Sequence, residues 1–157
     1  MNGSSALTID LADEAATGRL AALLARDARR GDLIALRGAL GSGKTTFARA
    51  FIRARGHDGE DVPSPTFTLV EIYDGDPPIW HFDLYRLEKP EEALELGLEE
   101  ALGDGICLVE WPERIAAMLP PDRLDLGLQA GVAPGARIAT LGPSPAWRQR
   151  LAGLIHA

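Results

Sequence analysis

The stretch "LIALRGALGSGKTTFARAF", which begins at Leu33, constrains the fold more than any other part of the chain. Its apolar beginning, "LIALRG", is typical of a short strand that is buried on both faces. After Gly43, apolar residues recur at helical spacing before a stop at Gly56, namely Phe47, Ala50, Phe51 and Ala54. A buried strand, a glycine-rich loop and a helix in this order predict a phosphate-binding loop within an α/β fold.

The loop between this strand and helix matches the pattern G-x-x-x-x-G-K-[ST] at every fixed position, from Gly38 to Thr45. Glycines let the backbone adopt conformations that are forbidden to other residues and bring its N–H groups onto phosphate oxygens. Lys44 is suited to neutralise charge between the β- and γ-phosphates, and the Thr45 hydroxyl is suited to bind Mg²⁺. The pattern therefore predicts a nucleotide site rather than a loop that only packs.

Elsewhere the sequence indicates a sheet that is not purely parallel. Residues 11–30 are expected to form one amphipathic helix, capped by Asp10 or Asp13. The runs "TFTLVEIYDG" and "PIWHFDLYRL", joined by "DGDPP", favour an antiparallel hairpin over a βαβ crossover. One helix is expected to begin at Pro90, and its buried stripe would consist of Leu94, Leu98, Ala101 and Leu102.

The last third of the chain adds a buried strand, "GICLVEWPE", a short helix, "ERIAAML", and two late strands, "RLDLGLQ" and "ARIATLG". A terminal helix is expected over residues 145–155. The elements together predict an α/β, P-loop NTPase-like three-layer fold whose mixed sheet contains an antiparallel hairpin. We expect residues 1–157 to form a single domain of this type.

A phosphate-binding loop needs an acid at the carboxyl end of a neighbouring strand, where it can hold Mg²⁺ and orient water. Glu110 follows the apolar run at residues 106–109 and qualifies, unless it is only a solvated strand end. Asp83 also qualifies, although an acid in so apolar a strand could serve a structural hydrogen bond instead. Alternation places Asp83 on one face with His81 and Tyr85, and His81 is either a core histidine or a base.

Two residues are candidates for contacts beyond the phosphates. Thr66, within "PSPTF", could reach the nucleotide as a mobile switch threonine does, or could form only a turn. Trp111 follows Glu110 directly and is expected at the mouth of the site, where it could pack or could meet a partner. The sequence leaves both alternatives open.

Composition limits the partners and the location. The formal charge of −7 argues against a protein that grips nucleic acid by itself, because phosphate contacts need a basic surface. No apolar run approaches the roughly 18 residues of a membrane span, and "MNGSSALTID" lacks the regions of a signal peptide. We therefore expect a cytoplasmic protein without a membrane partner. Cys107 is the single cysteine, and its apolar neighbours favour a buried, inert thiol.

Two other classes of P-loop protein can be weighed. A guanine-reading GTPase would need an N/T-K-x-D motif, yet the only asparagine is Asn2. A small-molecule kinase would normally carry a lid with arginines, whereas Arg86 and Arg114 are the only arginines between Arg55 and Arg123. The kinase remains the alternative.

Five stretches, in this order and spacing, resemble the TsaE (YjeE) family of bacterial tRNA threonylcarbamoyladenosine biosynthesis: "GALGSGKTTFARAF", "SPTFTLVEIY", "HFDLYRL", "PEEALELGLEE" and "ICLVEWPE". The likeness runs from about residue 9 to residue 137. It implies an α/β P-loop fold with a mixed sheet, which agrees with the hairpin expected from the residues. The motifs "HFDLYRL" and "LVEWPE" are far more selective than the glycine loop alone.

The resemblance implies a weak, Mg²⁺-dependent ATPase required for modifying adenosine 37 of tRNAs that read codons beginning with A. Its partners would be the threonylcarbamoyl-transferase catalytic subunit and that subunit's non-catalytic paralogue, the TsaD and TsaB types, and tRNA would be met only through them. Thr45 and Glu110 would bind Mg²⁺, and Asp83 would support the metal's water or the nucleophile. Nucleoside contacts would fall around Thr17 and Arg137. The phosphates would be held by Gly41, Ser42, Gly43, Lys44, Thr45 and Thr46.

Two hypotheses about the use of ATP follow. In one, hydrolysis is needed in each cycle; in the other, the chain is a nucleotide-gated binding module whose slow hydrolysis only resets it. An acid that binds Mg²⁺ serves both roles. The sequence does not separate them.

Overall fold

The computed structural model describes residues 6–57, 59, 62–65 and 68–155. Its centre is one seven-stranded sheet in the order β1-β7-β6-β2-β5-β4-β3. The strands β6, β2, β5 and β4 run parallel to one another, whereas β1, β7 and β3 are each paired antiparallel to a neighbour. The strand bounds are Leu7–Leu11 (β1), Leu33–Arg37 (β2), Val70–Tyr73 (β3), Ile79–Asp83 (β4), Ile106–Glu110 (β5), Leu124–Ala130 (β6) and Arg137–Pro143 (β7).

Helices cover both faces of this sheet, which gives three layers. Their bounds are Glu14–Asp27 (α1), Lys44–Ile52 (α2), Glu92–Glu95 (α3), Leu98–Asp104 (α4) and Pro145–Ile155 (α5). Successive residues of a strand face opposite sides, so Ile34 and Leu36 join the core beneath α1, α2 and α5. Leu33 and Ala35 join the second core, beneath α3 and α4. The predicted mixed three-layer fold is confirmed, including the antiparallel hairpin of β3 and β4.

The first helix is shorter than the sequence suggested. It begins at Glu14, and Asp13 is the residue that caps it, because its carboxylate accepts a hydrogen bond of 2.8 Å from the backbone N–H of Ala16. Residues Leu7–Leu11 form β1, which pairs with β7 at the edge of the sheet. The expectation of a helix from residue 11 was therefore wrong at its beginning, because Leu11 is the last residue of that strand.

The helix expected from Pro90 is in fact two short helices, α3 and α4. Gly97 separates them with a φ of +94°, a conformation that other residues rarely adopt. A Cβ at this position would lie 2.9 Å from the ring of Trp80, so both conformation and space require glycine. Leu98 and Ala101 are buried as predicted, but Leu94 lies before the break and is 44% exposed.

The terminal helix α5 is confirmed, and a bidentate ion pair holds it to the sheet. The guanidinium of Arg150 donates hydrogen bonds of 2.7 and 2.8 Å to the two carboxylate oxygens of Asp32, just before β2. Trp147 and Leu151 add apolar packing on the same helix. Within the described residues, no helix combines the length and the apolar character that crossing a membrane would need.

Candidate functional site

The glycine loop connects β2 to α2 at the carboxyl edge of the parallel strands. Gly38, Gly41 and Gly43 all have positive φ, at +146°, +79° and +104°. A Cβ on Gly38 would lie 2.4 Å from the carbonyl oxygen of Leu128 and 2.5 Å from the hydroxyl oxygen of Ser42. The first glycine of the pattern is therefore required both by its conformation and by the neighbouring strand β6.

Lys44 is buried in this structure, with only 4% of its surface exposed. Its ammonium donates a 2.6 Å hydrogen bond to the carbonyl of Gly38 and lies 3.4 Å from the centre of the Trp111 ring. Burial lowers the pKa of Lys44 below its usual value, and the nearby carboxylate of Glu110 partly opposes that effect. The lysine that the sequence assigned to phosphate binding thus links the loop to the tryptophan.

The two acids predicted from the sequence lie side by side. Parallel pairing of β4 with β5 places Asp83 opposite Glu110, each as the last residue of its strand. Both are almost fully buried, at 5% and 2% exposure. The Thr45 hydroxyl donates to the Glu110 carboxylate, with distances of 3.0 and 3.1 Å to its two oxygens. The Asp83 carboxylate accepts a 3.1 Å hydrogen bond from the backbone N–H of Tyr85.

His81 contacts Glu110, which the sequence did not reveal. The Nε2 atom of its fully buried ring lies 2.7 Å from Glu110 Oε2. Alternation along β4 correctly placed His81 and Asp83 on one face, but the neighbour of that face could be known only from the strand order. The histidine therefore belongs to the site rather than only to the core.

Aromatic side chains form one wall of the site. Trp111 has a φ of +59°, unusual for a residue other than glycine, and directly follows β5. Its ring stacks on that of Tyr85 with centroids 4.9 Å apart, and Tyr85 is 42% exposed. Trp111 lines an open cavity of about 240 Å³ that also contains Lys44, Thr45 and Asp83. This tryptophan lies where the cavity meets the surface.

Thr17, from α1, and Arg137, from β7, lie together beside the loop, and Arg137 also lines the larger cavity. They line a small cleft of about 20 Å³ with Gly43 and Thr46. Arg137 donates a long, 3.4 Å hydrogen bond to the carbonyl of Gly41. The Thr17 hydroxyl is buried and has no hydrogen-bond partner within the part of the chain that the structure describes. Thr66 lies outside the described residues.

The donor atoms at this site suit Mg²⁺. Thr45 offers a hydroxyl oxygen, and Glu110 and Asp83 offer carboxylate oxygens, the hard ligands that this ion prefers. Over the described ranges, no group of three or more His, Cys, Asp or Glu side chains could hold a metal ion. Mg²⁺ usually takes one or two protein carboxylates and completes its shell with water and substrate phosphates, which is the arrangement that these residues allow.

The mixed sheet, with its glycine loop between β2 and α2, defines an α/β protein with the P-loop NTPase-like fold. Comparison with known proteins narrows this class: the family model of threonylcarbamoyl adenosine biosynthesis protein TsaE matches residues 11–137. The chain belongs to the TsaE family. The resemblance found in the sequence motifs is thereby confirmed.

Similar proteins come from several bacteria. Three are named tRNA threonylcarbamoyladenosine biosynthesis protein TsaE. The one from Rickettsia conorii is 42% identical over 121 residues, which is 76% of this chain and 69% of the relative. The one from Bacillus subtilis is 45% identical over 112 residues, 70% and 69% of the two chains. The one from Treponema pallidum is 36% identical over 126 residues, 80% and 92% of the two chains. The crystal structure of Bacillus subtilis YdiB superposes with a TM-score of 0.75 at 32% identity, covering 94% of this chain and 92% of that one.

Proposed function

We propose that this chain is a Mg²⁺-dependent ATPase of low turnover, required for threonylcarbamoylation of adenosine 37 in tRNAs that read codons beginning with A. The observation that carries the proposal is the direct contact between the Thr45 hydroxyl and the Glu110 carboxylate, 3.0 Å apart at the first turn of α2. This contact joins the two groups expected to bind Mg²⁺, next to the glycine loop of a TsaE-family chain.

Each residue has a defined part in this proposal. The backbone N–H groups of residues 41–46 hold the phosphates of ATP, favoured by the N-terminus of α2. Mg²⁺, when bound with ATP, neutralises charge on the phosphates. Thr45 and Glu110 supply its protein ligands, and Asp83 orients water from the neighbouring strand. Lys44 exchanges its hydrogen bond with Gly38 for contacts with the phosphates.

The nucleoside is assigned to the cleft side of the loop. Thr17 lines the small cleft, and Arg137 borders both that cleft and the larger cavity that contains the two carboxylates. A nucleotide whose γ-phosphate approaches Glu110 would therefore extend its ribose and base toward α1 and β7. The buried Thr17 hydroxyl, which has no hydrogen-bond partner within the described structure, supports this direction. Leaving such a hydroxyl unpaired costs free energy, and a hydrogen bond from a bound nucleoside would remove that cost.

The proposed partners are the transferase catalytic subunit and its non-catalytic paralogue, of the TsaD and TsaB types, with tRNA bound chiefly by them. The relatives are named for tRNA threonylcarbamoyladenosine biosynthesis, which supports partners that act in that modification. The charge of −7 supports an indirect contact with tRNA, because a phosphate-binding surface needs clustered basic residues. A cytoplasmic location follows from a role in tRNA modification.

A nucleotide-gated binding module is the second candidate, and two contacts of Trp111 favour it. Trp111 touches the ammonium of Lys44 on one side and the half-exposed Tyr85 on the other. A change at the phosphates would therefore reach surface aromatic rings directly, and a partner could sense it without hydrolysis. The small-molecule kinase alternative has no comparable support from the relatives described above.

A reconstituted modification assay separates hydrolysis from gating. Purified chain, the transferase pair, tRNA and a preformed activated threonylcarbamoyl donor are supplied with ATP or with a non-hydrolysable analogue, under single and multiple turnover. If hydrolysis is needed in each cycle, the analogue supports at most one round of modification. Sustained modification with the analogue would instead show that the chain acts as a nucleotide-gated binding module. Absence of any dependence on this chain, with either nucleotide, would contradict the proposed function itself.

A further inference from the structure

His81 is a buried polar residue in the middle of β4, a strand whose other polar residue, Asp83, lies at its end. It has no exposed surface, and its neighbours in β4, Trp80 and Phe82, belong to the core on the opposite face of the sheet. Burying an imidazole costs free energy unless its nitrogens find hydrogen-bond partners. The partner of Nε2 is Glu110 Oε2, at 2.7 Å. The position of His81 is thus tied to the one carboxylate that also contacts Thr45.

The Glu110 carboxylate is held from two sides. Its Oε2 atom lies 2.7 Å from the imidazole and 3.1 Å from the Thr45 hydroxyl. Its Oε1 atom lies 3.0 Å from the same hydroxyl, and Thr45 is its hydrogen-bond partner in the described structure. Rotation of the carboxylate would break the short bond to His81. The two oxygens are therefore not equivalent: both lie near the Thr45 hydroxyl, but Oε2 is also bonded to His81, which leaves Oε1 the less occupied of the two.

We propose that His81 is a positioning residue, which fixes the Glu110 carboxylate so that Oε1 is presented to Mg²⁺ bound with the nucleotide. The inference rests on the proposed function, and it assigns to His81 a task that burial alone does not require. Because an ionised carboxylate only accepts hydrogen bonds, Nε2 is the donor in this contact, whereas the buried Nδ1 has no hydrogen-bond partner within the described structure. Residues that orient a metal ligand in this way typically contribute a factor of about 10–100 in metal affinity or activity.

A purely structural histidine would behave differently. Its replacement would lower stability, and any loss of nucleotide binding would be equal with and without Mg²⁺. A positioning histidine acts through Glu110 only, so its replacement weakens the response to Mg²⁺ and leaves the metal-free affinity for nucleotide unchanged. The change in nucleotide affinity between Mg²⁺ and metal-free conditions therefore distinguishes the two roles.

Two amide variants test this with matched chemistry. The Nε2 of glutamine stands as many bonds from the backbone as the Nε2 of histidine, whereas asparagine is one bond shorter. In His81→Gln a donor still reaches Glu110, and in His81→Asn it does not. Phe82→Leu is the control for stability, because Phe82 lies in the same strand but faces the other core.

ATP binding by each folded variant is measured by calorimetry in chelator and across a series of Mg²⁺ concentrations. We expect His81→Asn to raise the Mg²⁺ concentration needed for half-maximal tightening by about tenfold or more, with metal-free affinity unchanged. His81→Gln should recover most of the difference, and Phe82→Leu should match wild type. Equal Mg²⁺ dependence in all four proteins would overturn the positioning role alone. Failure of the wild-type chain to bind ATP with Mg²⁺ would contradict the proposed function and this inference together.

Discussion

Lys44 carries its charge in a nearly solvent-free position, stacked on Trp111. We expect Lys44→Ala to remove most ATP affinity and to leave the domain folded, because the variant also removes a desolvated charge. Calorimetry and thermal unfolding measure the two effects. Lys89→Ala, which removes the other lysine from an exposed site, is the control, and unchanged ATP affinity in Lys44→Ala would exclude the phosphate-binding role.

Glu110 is expected to matter more for hydrolysis than for binding. Glu110→Gln keeps the shape of the side chain and removes its charge, so ATP should still bind through the loop. Turnover should fall by about 100-fold or more, because a positioned electrostatic group contributes roughly 3 kcal/mol to transition-state stabilisation. Steady-state phosphate release measures this. Glu113→Gln, a charge change at an exposed neighbour, should hydrolyse normally, and wild-type turnover in Glu110→Gln would move the metal role to Asp83.

Cys107 offers a pH-dependent test of the core. Burial raises the pKa of its thiol from 9.0 to about 12. The unfolded chain therefore loses this proton first, so the thiol's contribution to stability is complete below pH 9 and declines as the pH rises toward 12. We expect no reaction with a thiol reagent until the chain unfolds, and a smaller alkaline loss of stability in Cys107→Ala. Rapid labelling of the native protein would contradict the buried position in β5.

At the level of single elements, α1 depends on one cap. Asp13 accepts the hydrogen bond from Ala16, whereas Asp10 is an exposed residue of β1. Asp13→Ala should lower the free energy of unfolding by about 1 kcal/mol, the usual value of an N-cap. Asp10→Ala should change it much less. Denaturant titration of the two variants measures the difference, and equal effects would show that the cap contributes nothing specific.

Periodicity predicted the helices and strands that are determined by residues close to one another in the sequence. The strand β2, the loop and α2 follow from a few neighbouring residues, and the hairpin follows from two alternating runs. The break at Gly97 was missed because its cause, the ring of Trp80, comes from a distant strand. The strand β1 was missed for a similar reason, since it is completed by pairing with β7 near the other end of the chain.

Features of the site were likewise predictable where neighbouring residues determine them, and not where distant strands do. Glycine, lysine and threonine positions could be predicted from spacing, because the loop is a local structure. The pairing of Asp83 with Glu110 required the order of strands, and the bond from His81 required the register between them. Trp111, on which Lys44 stacks, has a left-handed backbone, whereas the proline that follows it favours an extended one, so the local sequence does not predict this geometry.

For the whole molecule, the proposal predicts association that depends on nucleotide. The chain should bind the transferase pair more tightly with an ATP analogue than without nucleotide, and it should prefer ATP to GTP. Trp111→Ala should weaken the association, because its ring joins the loop to the surface; Leu94→Ala, which shortens an exposed apolar side chain on α3, is the control. Pull-down and fluorescence titration measure these affinities.

The same titrations can test the indirect contact with tRNA. At physiological salt, the isolated chain should show no saturable tRNA binding, because its net charge of −7 opposes phosphate contacts. Tight binding of tRNA by the chain alone would reject this mechanism, even if ATP hydrolysis were observed. Partner affinity that is indifferent to nucleotide would reject it as well.

The stacking of Lys44 on Trp111 also gives the molecule an optical signal of its own. A charged amine 3.4 Å from the ring centre perturbs the excited state of the indole. Trp80 and Trp147, the other two tryptophans, are buried in the cores and supply a constant background emission. If Lys44 withdraws toward incoming phosphates, as the proposed function requires, the surroundings of one fluorophore out of three would change. On the proposed function, ultraviolet emission of the natural sequence should therefore report occupancy of the loop without any attached dye.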